Sequence, residues 1–343
     1  MSKRLIQFDI LRVMAMIFVI AIHVSVRPFV TNPYMKNMWY VLFLVCNGLF
    51  YMLSGKFNLR KKFDSNKSIL EFYWKNFKKI VIPFFFATII IAFRYYLSSN
   101  FGLSLMGYYR FYRDYITNTA PNSDLWFMYP FFGLLLSTPF LSLMLNNMSE
   151  KQIKFILVLS FIYCFYSVNS KFFGFTPHIS QWIISEWMLY YILGYCLDRV
   201  NIQCEGIIYV LGVVGFILSI ILKTKFENSY NNSTDLSLIY VIFVFSIYIF
   251  FAKRIHTKNK ALIGIIEILT KYSFYVYLFH EIVLREVEKY LGVLNPIISF
   301  PVNILVTLLL TLMIAVIFDS FMQILNKFFN TLFIFLKNIL FNE

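Results

Sequence analysis

The stretch "FDILRVMAMIFVIAIHV", residues 8–24, is apolar enough to cross a lipid bilayer but contains an arginine, Arg12, and a histidine, His23. A charged side chain at the centre of a bilayer costs about 2.5 kcal/mol or more. Such residues are therefore either held by a partner or used in a function. This stretch predicts a first membrane helix that carries functional residues.

The apolar character extends over the whole chain of 343 residues, which is 59% hydrophobic and 14% charged, with a mean hydropathy of +0.69. A soluble domain of this length needs a largely polar exterior, so the composition excludes one. At about 20 apolar residues per crossing, we predict an all-α integral membrane protein, a single domain over residues 1–343 with about ten transmembrane helices. The predicted spans are 8–27, 39–57, 80–97, 125–145, 153–169, 182–198, 206–222, 237–252, 262–284 and 297–321. The apolar tail at 328–343 is expected along the membrane surface or against the bundle.

The basic residues predict the orientation. If the N-terminus lies in the cytoplasm, nineteen Lys and Arg fall in inward segments and ten in outward segments. Because these residues gather in cytoplasmic loops, we predict that both termini are cytoplasmic. The net charge of +14 then reflects membrane topology, and no nucleic-acid partner is expected. The high content of Phe, Ile, Asn and Lys favours an AT-rich bacterial genome and hence a multi-pass protein of the bacterial cytoplasmic membrane.

Arg12 and His23 lie on one face of the predicted first helix, since eleven steps of 100° return to within about 20° of the starting direction. They are roughly 16 Å apart along the axis, with Arg12 in the inner part of the membrane. A guanidinium binds phosphate well, and an imidazole is a natural general base. One helix face could thus hold a phosphorylated donor and act on its far end. Alternatively, Arg12 snorkels or pairs with Asp9, and His23 is a structural hydrogen-bonding residue.

Five segments with distinctive residues follow one another along the chain. The first is the arginine, ten residues and histidine of the first span. The others are "FYMLSGKF" (50–57), "DLWFMYPFFGLLLSTP" (124–139), "YILGYCL" (191–197) and "YSFYVYLFH" (272–280). In this order the five segments resemble the membrane acyltransferase 3 family. Without an appended domain, the chain is most similar to the stand-alone surface-polysaccharide O-acyltransferases of this family.

The resemblance implies transfer of an acyl group, usually acetyl, from cytoplasmic acyl-CoA to a hydroxyl of a cell-surface or lipid-linked glycan. His23 would be the base, and Arg12 would hold the CoA phosphates. The family usually has arginines before the proline that opens its third helix, whereas this chain has Lys75, Lys78 and Lys79. A lysine attracts phosphate without the bidentate geometry of arginine. These lysines are therefore either CoA ligands or an ordinary positive-inside flank.

Several other residues are candidates for the site. His280 is expected near His23, either in an acceptor site with Tyr277 or in a structural pair with that tyrosine. Glu186 is an intramembrane carboxylate that could orient either histidine or pair with an outward arginine. Trp126 suits a sugar ring or an interfacial belt, and Ser54 is a candidate oxyanion donor.

Two other functions stay open on sequence grounds. One is a transporter for a glycan or small molecule that uses the same polar helix faces, although transporters often show repeats and broken helices that are not evident here. The other is a non-catalytic membrane partner of a polysaccharide synthase, or a sensor. No metal site is expected, because the four cysteines show no paired spacing. A homo-oligomer is one option for the quaternary structure, and membrane lipid and an acceptor glycan are the expected partners.

Overall fold

The computed structural model describes residues 5–27, 32–99, 104–120, 123, 125–169, 184, 187–225, 234–291 and 296–341. Within these ranges the chain is helical and forms no strand. The α-helices are α1 (Ile6–Ser25), α2 (Pro33–Phe43), α3 (Val45–Asn58), α4 (Asn66–Asn76), α5 (Ile82–Ser98), α6 (Leu105–Asp114), α7 (Met128–Asn146), α8 (Glu150–Cys164), α9 (Trp187–Cys196), α10 (Glu205–Lys225), α11 (Leu238–Arg254), α12 (Lys260–Leu291) and α13 (Pro296–Phe341).

Each of the ten predicted spans coincides with a helix, which confirms the all-α membrane class. In the described part of the chain, eight helical stretches are long and apolar enough to cross a membrane. The predicted spans at 182–198 and 237–252 correspond to shorter helices, α9 with 10 residues and α11 with 17. The number of crossings and the side of the termini stay predictions.

Helix ends differ from the predicted boundaries where side chains cap the helix. The second span begins at Pro33 and not at 39, because the Asn32 side chain accepts hydrogen bonds from the backbone N–H groups of Tyr34 and Met35 and Pro suits the first helical position. The apolar tail is helical and continues α13, which extends to Phe341, and its position along the membrane surface or against the bundle stays a prediction. At 1.5 Å per residue its 46 residues extend about 69 Å.

Helix α1 lies at the centre of the bundle, packed against α2, α3, α12 and α13. Leu11, Ala15 and Ile20 are fully buried in these contacts. By contrast, α10 exposes a series of large apolar side chains, as expected for a lipid-facing helix. Much of the first predicted span is therefore packed against other helices of the protein.

Helices α3 and α9 pack backbone to backbone through two glycines. A Cβ at Gly55 would overlap the carbonyl of Tyr191, and a Cβ at Gly194 would overlap the carbonyl of Met52. Small residues allow such close approach of membrane helices. The glycines of "FYMLSGKF" and "YILGYCL" thus allow these two segments to pack closely.

Two helices of the described chain lie outside the predicted spans, α4 and α6, and α6 continues into a π-helical segment at Tyr115–Thr119. The Tyr108 hydroxyl donates to the Ile89 carbonyl (2.8 Å), and the Tyr129 hydroxyl donates to the Ile116 carbonyl (2.6 Å). Tyrosine-rich sequence without a continuous apolar run gave no span signal. These hydrogen bonds attach α6 and its extension to α5 and α7.

Candidate active site

A cavity inside the bundle, here called the Arg12 cavity, has a volume of about 930 Å³. Its charged lining residues are Arg12, Lys79, Glu267 and Lys271, which give a positive balance. It lies between α1, α3, α7 and α12 and the π-helical segment Phe77–Val81 that joins α4 to α5. π-Helical segments are frequent at functional sites. The charge and volume suit a phosphate-bearing ligand of substantial size.

The second cavity, here called the His23 cavity, has a volume of about 370 Å³. Its lining residues with polar side-chain groups include His23, Tyr40, Asn47, Trp126, Asp235 and Tyr277. It lies at the C-terminal end of α1, where His23 is on the same helix face as Arg12. The two residues of the first span that are costly in lipid therefore lie in two different cavities.

Phe127 and Tyr277 line both cavities and form the boundary between them. Their ring centroids are 5.7 Å apart, and the Phe127 ring also packs on Tyr51 at 4.4 Å. The two cavities therefore adjoin at a cluster of aromatic rings.

Glu281 of α12 faces His23, with a distance of 3.7 Å between its Oε2 and His23 Nδ1. The same carboxylate accepts from Arg27 Nη2 at 2.7 Å and from Arg285 Nε at 2.8 Å. Arg27 Nε also contacts Glu288 at 2.7 Å. The His23 side chain is 27% exposed and that of Glu281 only 7%. A half-buried imidazole is thus backed by a buried, fixed carboxylate.

The structure brings His280 next to His23, with ring centroids 5.0 Å apart. His280 is buried, and its Nδ1 lies 2.6 Å from the Tyr277 carbonyl of the preceding helical turn. It lines neither of the two cavities. His280 therefore contacts the His23 ring and the Tyr277 backbone, and it can help to position these two residues.

Asp235 belongs to a short 3₁₀ turn, Thr234–Leu236, directly before α11. Its Oδ2 accepts a hydrogen bond from Asn47 Nδ2 of α3 at 3.2 Å. Burial raises the pKa of Asp235 to about 6, although the Asn47 hydrogen bond and the positive charge of Lys223 act in the opposite direction. The Asp235 carboxyl group therefore titrates near neutral pH within reach of the His23 cavity.

The three lysines before Pro83 occupy different positions. Lys79 lines the Arg12 cavity, whereas Lys78 Nζ lies 5.7 Å from the centroid of the Trp74 ring. Lys75 is exposed. Burial, together with the charges of Lys75 and Lys79, lowers the pKa of Lys61 to about 8. The positive charges on this side of the bundle are crowded enough to favour an anionic ligand.

The remaining predicted site residues divide between the cavities. Ser54 lines the Arg12 cavity, and Trp126 lines the His23 cavity, where its ring lies 5.2 Å from that of Trp187. Glu186 lies outside the described residues. Within the described residues, no group of three or more His, Cys, Asp or Glu is placed to hold a metal ion.

Sequence analysis missed Glu281, Arg27 and Asp235. Glu281 lies inside the predicted span 262–284, and the rule that selected Glu186, a carboxylate within a span, also applies to it. Arg27 had been counted only for topology. Asp235 gave no signal, because it stands in a polar connection between two spans. The acidic partner of His23 within the described residues is Glu281.

These features define a multi-pass membrane protein in which a histidine–carboxylate pair lies beside one of two adjoining cavities. The profile of an acyltransferase domain family matches residues 5–319. The chain belongs to the acyltransferase 3 family and is a membrane acyltransferase. Comparison with curated proteins gives no match, and comparison with solved structures gives none.

Proposed function

We propose that the protein transfers an acyl group, in the simplest case acetyl, from cytoplasmic acyl-CoA to a hydroxyl of a cell-surface or lipid-linked glycan. The observation that supports this proposal is that the candidate site consists of two adjoining cavities. Arg12 lines one cavity, His23 lines the other, and the two cavities meet at Phe127 and Tyr277. In the orientation predicted from the basic residues, the Arg12 cavity is on the cytoplasmic side, in a bacterial cytoplasmic membrane.

The Arg12 cavity suits the nucleotide end of acyl-CoA. The Arg12 guanidinium can bind a phosphate with two parallel hydrogen bonds, and Lys79 and Lys271 add point charges. Lys75 and Lys78 contribute to the field without lining the cavity. The pantetheine arm would then follow α1 over the roughly 16 Å that separate Arg12 from His23. This brings the thioester past Tyr277 to the imidazole.

His23 acts as the general base in this proposal. Glu281 faces Nδ1, so the ring proton is expected on Nδ1 and the lone pair on Nε2. Nε2 takes the proton of the acceptor hydroxyl, and the oxygen of that hydroxyl attacks the thioester carbonyl carbon. The tetrahedral intermediate collapses, the carbon–sulfur bond breaks, and the proton returns from the imidazolium to the CoA thiolate. Glu281 stabilises the imidazolium and positions the ring. A transient acyl-histidine is the less favoured variant.

The other residues have supporting roles. Tyr277 lines both cavities and can donate its hydroxyl to the developing oxyanion, and Ser54 is a second candidate donor from the Arg12 cavity. Trp126 offers a flat face to the acceptor in the His23 cavity. His280 supports His23 through ring contact. A role for Glu186 stays a prediction.

Release of free CoA thiol from acetyl-CoA by purified protein in lipid tests the proposal, because slow transfer to water needs no known acceptor. We expect His23→Ala to abolish release and Arg12→Ala to raise the half-saturating acetyl-CoA concentration at least tenfold. His256→Ala is the matched control, since His256 is exposed in the connection between α11 and α12 and should behave as wild type.

Thiol release that persists in His23→Ala would refute the role of His23 as the general base. A wild-type protein that neither binds acetyl-CoA nor releases thiol would favour the transporter, for which two joined cavities would be a translocation path. Uptake of a labelled glycan into vesicles then becomes the decisive assay.

A further inference from the structure

The charged groups of the two cavities differ, and the difference concerns the acceptor. The Arg12 cavity contains three cations and one carboxylate among its described lining residues. The described lining residues of the His23 cavity include one histidine, His23, and one carboxylate, Asp235. They include no Lys or Arg. Lys223 acts on Asp235 through its charge, but its Nζ lies 3.8 Å from the Tyr40 ring centroid and it does not line the cavity.

We infer that the His23 cavity binds a neutral, hydroxyl-rich sugar ring and that Asp235 and Asn47 receive its hydroxyl groups. This inference rests on the proposed transferase function. It assigns specificity to two residues that act on the acceptor and not on the acyl donor.

The hydrogen-bonding capacity of the pair supports this inference. An ionised carboxylate offers about four acceptor positions, and Asn47 Nδ2 occupies one of them at 3.2 Å. The remaining positions can accept from neighbouring sugar hydroxyls, while Trp126 provides an apolar face in the same cavity. Hydrogen bonds to charged groups are stronger than those between neutral groups.

The position of Asp235 is fixed from several sides, as binding specificity requires. The Tyr190 hydroxyl donates to the Asp235 carbonyl. Ser237 caps α11 through the backbone N–H of Tyr240, and its hydroxyl donates to the Thr234 carbonyl at 3.0 Å. The turn is therefore held between α9 and α11 before any ligand binds.

The same charges disfavour an anionic acceptor. A uronate or phosphate in the His23 cavity would lie near the Asp235 carboxylate without a lining Lys or Arg to compensate it. A volume of about 370 Å³ is at the lower end for ligand cavities, about 300–1,000 Å³. It suits one or two sugar rings of a longer glycan.

The test uses a panel of neutral methyl glycosides and their matched uronates, each added to the purified protein in lipid with acetyl-CoA. We expect at least one neutral glycoside to accelerate thiol release and its uronate to do so far less. Asp235→Ala should raise the half-saturating glycoside concentration about tenfold or more, with a smaller change in kcat. Asp64→Ala, at an exposed position between α3 and α4, should match wild type.

Asp235→Asn separates recognition from support of the fold. It keeps the size of the side chain and one acceptor oxygen for Asn47 but removes the charge, so it should narrow the preference for neutral glycosides over uronates. Half-saturating acetyl-CoA reports whether each variant is folded, and Asn47→Ala provides a second variant expected to weaken glycoside binding.

Three results would overturn the inference. They are a uronate that works as well as its neutral partner, an Asp235→Ala variant with wild-type glycoside saturation, and a panel in which no neutral glycoside accelerates release. Thiol release that survives His23→Ala would instead overturn the proposed function, so the two failures are distinguishable.

Discussion

Glu281→Gln is the sharpest perturbation of the proposed mechanism, because it removes a charge and keeps the shape of the side chain. The Glu281 carboxylate lies 3.7 Å from His23 Nδ1. At this distance and an effective dielectric constant of about 20, a full ion pair contributes about 4.5 kcal/mol. Arg27 and Arg285 contact the same carboxylate and neutralise part of its field. We therefore expect a loss of roughly 2–3 kcal/mol in stabilisation of the imidazolium, and a fall in kcat of roughly 30- to 160-fold.

The assay is thiol release at saturating acetyl-CoA, followed over a range of donor concentrations. Since Glu281 acts through His23, the loss should appear in kcat, while the half-saturating acetyl-CoA concentration changes little. Glu281→Asp, which restores the charge, should recover part of the rate. Glu286→Gln is the matched control, because Glu286 lies on the same helix and pairs with Arg94 at 2.7 Å at a more exposed position.

A kcat for Glu281→Gln within threefold of wild type would refute the reasoning. If only the half-saturating acetyl-CoA concentration changed, Glu281 would instead be assigned to binding of the donor. A thermal unfolding measurement keeps these outcomes distinct from misfolding, since Arg27 retains its contact with Glu288 (2.7 Å) in the variant.

Three further predictions follow from the cavities and their charges. Lys79→Ala should raise the half-saturating acetyl-CoA concentration several-fold and Lys78→Ala less than twofold, because Lys79 lines the Arg12 cavity and Lys78 lies against Trp74; equal effects would contradict this assignment. Lys61, with its pKa lowered to about 8, should react with amine reagents at pH 8 faster than the other lysines, and CoA phosphates should slow this reaction by raising its pKa; mass spectrometry measures both. The raised pKa of Asp235 means that the folded state binds a proton more tightly than the unfolded chain, so stability falls as pH rises from about 4 to about 6. Asp235→Asn should therefore raise the melting temperature at pH 7 and have little effect at pH 4, and an equal shift at both pH values would show that ionisation is not the cause.

The sequence predicted the helices and the polar face of α1 because both follow from local periodicity. Apolar runs of membrane length have few alternatives to a helix, and the spacing of Arg12 and His23 fixes their common face. The proximity of His280 to His23 was also accessible, since both lie near the same end of their spans. These properties depend on the sequence of one helix at a time, or only on the depth of a residue along its membrane span.

The partners across helices could not be predicted in the same way. His280 and Glu281 are adjacent in sequence and point about 100° apart, and the rotation of α12 against α1 decides which of them meets His23 Nδ1. Asp235 is brought to the His23 cavity by a turn held through Tyr190 and Ser237. Neither the rotation nor the packing of this turn leaves a periodic signal.

The division of charge between the cavities explains why an enzyme of this kind would need two of them. Acyl-CoA is highly anionic, and the cations of the Arg12 cavity would hold it and, after transfer, the CoA product on the side from which the donor came. In the proposed mechanism the reacting carbonyl is neutral, so the thioester would pass the aromatic boundary of Phe127 and Tyr277 while the phosphates stay behind. A neutral acceptor would then meet the thioester at His23, where the buried carboxylate of Glu281 would support the positive charge that develops on the imidazole. If the cations lined the His23 cavity instead, they would oppose that charge and bind the phosphates too close to the base. The spacing of Arg12 and His23, eleven residues apart on one helix, would thus separate donor binding from base catalysis by about the length that the donor's flexible arm must cover.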